Sequence, residues 1–115
     1  MRPETQLQRS IRQHLGLKGY TSVHVPNGAT LSGDKDARAR QMANLKRDGL
    51  LPGFPDLLVY APGGRVGHIE VKCEGGRQTD TQKAVAGLLD GLGHHYAVCR
   101  SLADVDETLA SWGWA

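Results

Sequence analysis

The alternation of apolar and polar residues along the chain predicts eight secondary-structure elements. Leu7, Ile11 and Leu15 recur at the spacing of one helical face, so residues 3–18 are predicted to form a helix that ends at Gly19. Further helices are predicted from about Lys35 to Asp48, from Thr79 to about Leu92, and from Ser101 to Trp112. Short apolar runs between turn residues predict strands over 21–25, 56–60, 66–72 and 95–99.

The order of these elements, α-β-α-β-β-α-β-α, sets the expected architecture. The two middle strands are joined by the turn Ala61-Pro62-Gly63-Gly64-Arg65, which favours a hairpin. A helix separates the last strand from this hairpin, as in a crossover connection. The pattern therefore predicts one α/β domain over residues 1–115, with a central mixed β-sheet flanked by helices.

The predicted hairpin carries charged residues where a buried strand is usually apolar. Side chains alternate along a strand, so Glu70 and Lys72 share one face while Ile69 and Val71 take the other. The hairpin would also bring Asp56 near Glu70. Two carboxylates suit Mg²⁺ or Mn²⁺, the Val71 carbonyl could be a further ligand, and Lys72 could position a water or stabilise charge on a phosphate. An ion-pair cluster on an edge strand is the alternative, because a Glu-x-Lys triplet is common by chance.

Two polar residues lie in register with the apolar stripes of their helices. Glu4 precedes Leu7 by three residues and is expected to point inward, although acids also favour the first turn of a helix. Gln82 precedes Val85 by three residues. The pair Thr79 and Gln82 also matches a capping box, so Gln82 either caps its own helix or faces the site.

The net charge of +2 hides an uneven distribution. Residues 1–50 contain nine Lys/Arg and four Asp/Glu, whereas residues 51–115 contain five and eight. The helix 35–48 is basic, which suits contacts with the phosphate backbone of DNA. Its apolar face is thin, so it could pack loosely, lie at an edge of the fold or contact a partner. A solvated helix surface is the alternative interpretation.

Other features exclude some classes of protein. No run of about 18 apolar residues is present, so we expect no membrane-spanning helix. The N-terminus lacks the apolar core of a signal peptide, which favours a cytoplasmic location. Cys73 and Cys99 match no metal or redox spacing, so we expect reduced thiols and no zinc site.

The segment Pro55-Asp56, followed after thirteen residues by Glu70-Val71-Lys72, resembles the core motif of the PD-(D/E)XK nucleases. The wider pattern is similar to the VRR-NUC family, the virus-type replication-repair nucleases. It comprises Glu4 with Gln8, Asn27-Gly28, the lead-in Gly49-Leu50-Leu51-Pro52-Gly53-Phe54-Pro55-Asp56, and Gln82 after Gly76-Arg77-Gln78-Thr79. This pattern spans nearly the whole chain, and the short length resembles stand-alone members from phages and bacteria.

The resemblance implies a restriction-endonuclease-like core that hydrolyses phosphodiester bonds with Mg²⁺ or Mn²⁺. Asp56 and Glu70 would bind the metal with the Val71 carbonyl, and Lys72 would be the catalytic lysine. Glu4 would complete the acidic site, and Gln82 would approach it from the following helix. Stand-alone members are similar to Holliday-junction resolvases, so a homodimer that acts on branched DNA is also implied.

Expected DNA contacts are Lys35, Arg38, Lys46, Arg47, Asn27 and Arg77. From position alone, Asn27 fits a turn residue better than a substrate contact. A branched-DNA-binding module that does not cut is the main alternative function, and a sequence-specific restriction-like nuclease is a further one. The hydrophobic C-terminus, with Trp112 and Trp114, is one candidate for the dimer interface.

Overall fold

Within residues 2–26 and 31–114, which are those that the computed structural model describes, the predicted order of helices and strands is confirmed. The helices are α1 (Pro3–Leu17), α2 (Lys35–Arg47), α3 (Asp80–Gly91) and α4 (Leu102–Ser111). The strands are β1 (Thr21–His24), β2 (Leu57–Ala61), β3 (Arg65–Val71) and β4 (His95–Cys99). None of the described helices is long and apolar enough to cross a membrane.

The strands form one mixed sheet in the order β1-β2-β3-β4. The pairs β1–β2 and β2–β3 are antiparallel, and the predicted hairpin aligns Leu57 with Ile69. Helix α3 then crosses over so that β4 runs parallel to β3, with Glu70 aligned to Val98. The strand β3 is therefore an inner strand, with hydrogen-bonded neighbours on both sides.

One face of this sheet forms the hydrophobic core against α1 and α4. The alternation along β2 and β3 sends Leu57, Val59, Ile69 and Val71 to this face, where all four side chains are fully buried. They pack in one cluster with residues of α1, α4 and the C-terminus: Ile11, Leu15, Val105, Leu109 and Trp114. This burial fixes the register of the hairpin, because a slip of one residue would turn the apolar set to the other face.

The two C-terminal tryptophans belong to this core, so the dimer interface expected at Trp112 and Trp114 is not supported. The Trp112 ring lies against Gly67 of β3, where a Cβ atom would overlap it. Trp114 is only 7% exposed, and its carbonyl accepts a hydrogen bond of 2.6 Å from the Tyr20 hydroxyl. Both rings therefore stabilise the fold of their own chain.

Helix α2 stands apart from the rest of the fold, as its thin apolar face indicated. It has no buried residue, and no other described helix or strand packs closely against it. Local contacts define its start: the Asp34 carboxylate accepts a hydrogen bond of 2.8 Å from the Ala37 backbone N–H, and the Gln41 amide bonds the Ser32 backbone. The elongated shape of the chain, 47 × 33 × 24 Å, fits a helix that is attached loosely.

Candidate active site

The charged residues of the hairpin lie on the sheet face opposite the core. Glu70 is fully buried and Lys72 is 9% exposed, although both carry ionisable groups. They sit at and just after the end of β3, between β2 and β4. Because β3 is an inner strand, the alternative interpretation as an ion-pair cluster on an edge strand is wrong.

The loop before β2 places Asp56 at the end of the sheet. Gly53 adopts a φ of +84°, and its backbone lies so close to the Thr81 carbonyl at the start of α3 that a side chain would clash there. Pro55 is buried, which fixes the direction in which the chain enters β2. The lead-in segment is therefore a rigid support for Asp56, held between the sheet and α3.

Three hydrogen bonds fix Asp56 itself. Its backbone carbonyl accepts a hydrogen bond of 2.8 Å from the Val25 N–H, and His24 Nδ1 lies 3.1 Å from the same oxygen. Its side-chain Oδ2 accepts a hydrogen bond of 2.8 Å from the Val71 N–H. His24 therefore has a structural part, because its ring bonds the backbone of Asp56.

The Glu70 carboxylate lacks the partners that a buried acid normally has. Neither of its oxygens has a hydrogen-bond partner among the described residues. Burial is the largest of the effects that together raise the pKa of Glu70 to about 9, and the adjacent Asp56 carboxylate acts in the same direction. The positive charge of Lys72 opposes this shift, and Glu4 adds a smaller effect in the same direction as Asp56. A cation bound beside Glu70 would favour its ionised form and lower this pKa.

A divalent cation fits this chemistry. Its charge would satisfy the two orphan oxygens of Glu70 and would relieve the repulsion between Glu70 and Asp56. No three His, Cys, Asp or Glu side chains within 2–26 and 31–114 gather closely enough to hold a metal by themselves. Asp56 and Glu70 would supply carboxylate oxygens, which Mg²⁺ binds while it usually keeps several waters in its coordination shell.

Glu4 lies at the mouth of the site rather than inside it. The residue is exposed, although its position on the apolar stripe predicted an inward orientation. It lines a cleft of about 420 Å³ between α1 and the start of β2, and Asp56, Gln8 and His24 line the same cleft. Its participation in metal binding stays a prediction.

Gln82 caps its own helix in the structure. Its Oε1 accepts a hydrogen bond of 2.9 Å from the Thr79 N–H, and the Thr79 hydroxyl accepts one of 3.1 Å from the Gln82 N–H. The capping box predicted from the sequence is therefore confirmed. A direct role of Gln82 at the active site stays a prediction, since its carbonyl oxygen is engaged in this cap.

Tyr96 is a neighbour of the site that the sequence did not reveal. The parallel register aligns Tyr96 with His68, which places its ring on the same sheet face as Glu70. Its phenolic oxygen accepts a hydrogen bond of 2.8 Å from Gln78 Nε2. Burial and the nearby Glu70 carboxylate raise the pKa of Tyr96 to about 12, so the hydroxyl keeps its proton. Only the pairing of β3 with β4, which no sequence signal specified, brings these residues together.

The predicted DNA contacts are at the surface, as such contacts require. Lys35, Arg38, Lys46, Arg47 and Arg77 are all exposed, the first four on α2 and the last in the loop before α3. Asn27 lies outside the described residues. The structure also brings a basic group next to Asp56 that these predictions did not include: Arg2, Arg9 and Arg12 line the cleft at α1. Their helical spacing was the available signal.

Comparisons with known proteins agree on one family. The model of the VRR-NUC domain matches residues 2–103. A solved structure of a VRR-NUC domain is 21% identical with a TM-score of 0.64, and the match covers 94% of both chains. A solved VRR-NUC domain protein is also 21% identical with a TM-score of 0.70, over 97% of this chain and 88% of that one. These structures show the same fold. Among curated protein sequences, none matches this chain significantly.

Proposed function

This chain belongs to the VRR-NUC family of nucleases, and we propose from that premise that it is a metal-dependent, structure-selective DNA endonuclease. The observation that carries the proposal is the buried Glu70 carboxylate, without hydrogen-bond partners, beside Asp56 and Lys72. Burial of a polar group without partners costs stability, and a bound cation would offset that cost. In a nuclease, such a cation would assist the hydrolysis of the phosphodiester bond.

The proposed reaction is hydrolysis of a phosphodiester bond. A water oxygen attacks phosphorus, one P–O bond to a sugar breaks, and the leaving oxygen takes up a proton. Asp56 and Glu70 would hold Mg²⁺ or Mn²⁺ with the help of the Val71 carbonyl, and Glu4 would add a ligand from α1. When bound, the ion would act as a Lewis acid towards the phosphate and offset the charge that develops on it.

Lys72 has the catalytic part in this proposal. Its burial beside Glu70 would keep the ammonium group close to the reacting phosphate, where it would orient the attacking water or stabilise negative charge. Asp56 is preorganised, because its side chain is bonded to the Val71 N–H and its backbone to Val25. Gln82 would approach from α3 if its amide turned away from the cap.

We further propose that the enzyme works as a homodimer on branched DNA. A four-way junction has two-fold pseudosymmetry, and a C2 dimer would present one active site to each of two opposed strands. The exposed basic side chains of α2 suit contacts with the arms of such a substrate.

A cleavage panel tests this proposal. End-labelled four-way junctions, flaps, splayed arms and linear duplexes are incubated with the protein in Mg²⁺ or Mn²⁺, and Lys72→Ala serves as the blank. We expect paired, symmetrical nicks in the junction and much slower cutting of linear duplex. Equal cutting of all substrates would contradict structure selectivity, and unpaired nicks would contradict the dimer. Binding without any product would favour the non-cleaving module.

A further inference from the structure

We infer that the cleft between α1 and the start of β2 is the track along which the phosphate backbone of the cut strand enters the active site, held by Arg2, Arg9 and Arg12. This inference rests on the proposed function and makes it more specific. It also assigns a part to α1 beyond the role of Glu4. The ligand class is a polyanionic phosphodiester backbone, bound through charge and independent of base sequence.

The position of the arginines follows from helical geometry. Arg9 and Arg12 are three residues apart, which places them on one flank of α1, and Arg2 is the N-cap residue directly before the helix. The adjacent stripe with Ile11 and Leu15 is fully buried against the sheet. The arginine flank is therefore held by a packed helix at a fixed place, which is what a binding track requires.

The cleft leads to the proposed chemistry rather than to a remote surface. Its volume is about 420 Å³, and its walls include both the three arginines and Asp56. A phosphate that rests on the arginines would thus belong to the same strand as the phosphate near Asp56. The loosely attached α2 has a basic surface too, but its lack of close packing leaves it less suited to fix one phosphate relative to the site.

The guanidinium groups are available for a ligand. Within 2–26 and 31–114, the ion pairs of the chain join Asp106 to His14 and to Lys18, so none of the three arginines is paired with an acid. Arg12 is oriented by the Ser22 hydroxyl and carbonyl, both at 3.3 Å, and these neutral partners leave its charge uncompensated. Guanidinium suits this use because its planar set of donors matches phosphate oxygens.

The local charge balance also favours a phosphate. Glu4 is the only acid on the α1 wall of the cleft, against three arginines, and Asp56 is the acid at its inner end. If Glu4 and Asp56 bind a divalent cation, the whole cleft becomes strongly positive. A DNA strand would then meet basic groups first and the metal-binding carboxylates at the end of the path.

Arg9→Gln is the decisive variant. The Arg9 side chain is exposed and makes no hydrogen bond or ion pair with other described residues, so its replacement should not affect folding. The matched control is Lys18→Gln. It removes one positive charge at the other end of the same helix, where Lys18 Nζ lies 3.1 Å from Asp106. Binding of a fluorescein-labelled four-way junction is followed by anisotropy in EDTA over a series of NaCl concentrations, beside thermal melts of each protein.

We expect Arg9→Gln to weaken binding roughly fivefold to tenfold at 0.1 M salt and to reduce the slope of log affinity against log salt by about one. Arg9→Lys should recover most of this affinity, and Lys18→Gln should bind as the parent does. Parent-like binding by Arg9→Gln, or an equal loss in Lys18→Gln, would overturn the inference. Cleavage by the parent protein tests the proposed endonuclease function separately from the arginine track. If the parent cuts DNA while Arg9→Gln binds it normally, only the inference about the track is wrong.

Discussion

The carboxylate of Asp56 accepts a hydrogen bond of 2.8 Å from the backbone N–H of Val71, which ties the loop before β2 to the end of β3. Through this bond, the strand that leads to Glu70 and Lys72 fixes the orientation of Asp56, which precedes them by fourteen and sixteen residues. Its second oxygen is left for another partner. A hydrogen bond, and not only proximity, therefore links Asp56 to the Glu70-Val71-Lys72 segment.

Substitutions of Asp56 should separate this structural bond from metal binding. Asp56→Asn retains an oxygen that can accept from the Val71 N–H, so its free energy of unfolding in EDTA should stay close to that of the parent. Asp56→Ala leaves this N–H without its partner and should lower the free energy of unfolding by about 1–3 kcal/mol. Urea unfolding checks both values. Equal stability of the two variants would contradict the structural role of the bond.

Glu70→Gln should stabilise the metal-free fold, and the gain should depend on pH. The folded-state pKa of Glu70 is raised from 4.5 to about 9, so between these values the folded protein binds the extra proton and its stability falls as pH rises. Glutamine has no such proton. In EDTA, the melting temperature of Glu70→Gln should therefore match the parent near pH 5 and exceed it by several degrees near pH 9. A constant difference across this range would show that Glu70 does not titrate as described.

The same proton should control metal affinity. Below about pH 9, a cation can bind Glu70 only after displacing the proton, so the affinity of the parent for Mn²⁺ should rise with pH by up to about tenfold per unit. Calorimetric titration at pH 6, 7 and 8, in buffers of different ionisation enthalpy, measures both the affinity and the released proton. An affinity that does not change between pH 6 and pH 8 would exclude Glu70 as a ligand.

The hydrogen bond between Gln78 and Tyr96 should be measurable as a coupling free energy. Its length is 2.8 Å and it is partly buried, so Tyr96→Phe should cost about 0.5–1.5 kcal/mol of unfolding free energy. Gln78→Met should cost a similar amount, and the double variant should cost less than the sum of the two. Tyr60→Phe, on an exposed ring of β2, is the matched control and should change little. Additive effects would show that the two side chains do not interact.

The sequence predicted the parts of the fold that local periodicity determines. The element order and the hairpin followed from the spacing of apolar residues and from turn residues. The shared face of Glu70 and Lys72 followed from the two-residue period of a strand. Contacts between distant elements were not accessible in this way, because no local pattern states which strand pairs with the second edge of β3. For that reason Tyr96 was missed.

The C-terminal tryptophans show where composition misleads. Trp112 and Trp114 looked like a surface for a partner, because a hydrophobic terminus has no assigned neighbours in a sequence. In the structure they fill the space beside Gly67 and Tyr20. The charge of the first half drew attention to α2, whose contacts with DNA stay a prediction. The docking of α1 on the sheet puts a second basic group, which contains Arg9, beside Asp56.

The most direct test of the central claim compares the parent with Lys72→Ala on a labelled four-way junction in Mn²⁺. Circular dichroism first confirms that both proteins are folded, and anisotropy confirms that both bind the junction. The account predicts that the parent produces nicked product, that EDTA stops it, and that Lys72→Ala binds but leaves the junction intact. Cleavage by folded Lys72→Ala at the rate of the parent would contradict the assignment of the active site to Asp56, Glu70 and Lys72.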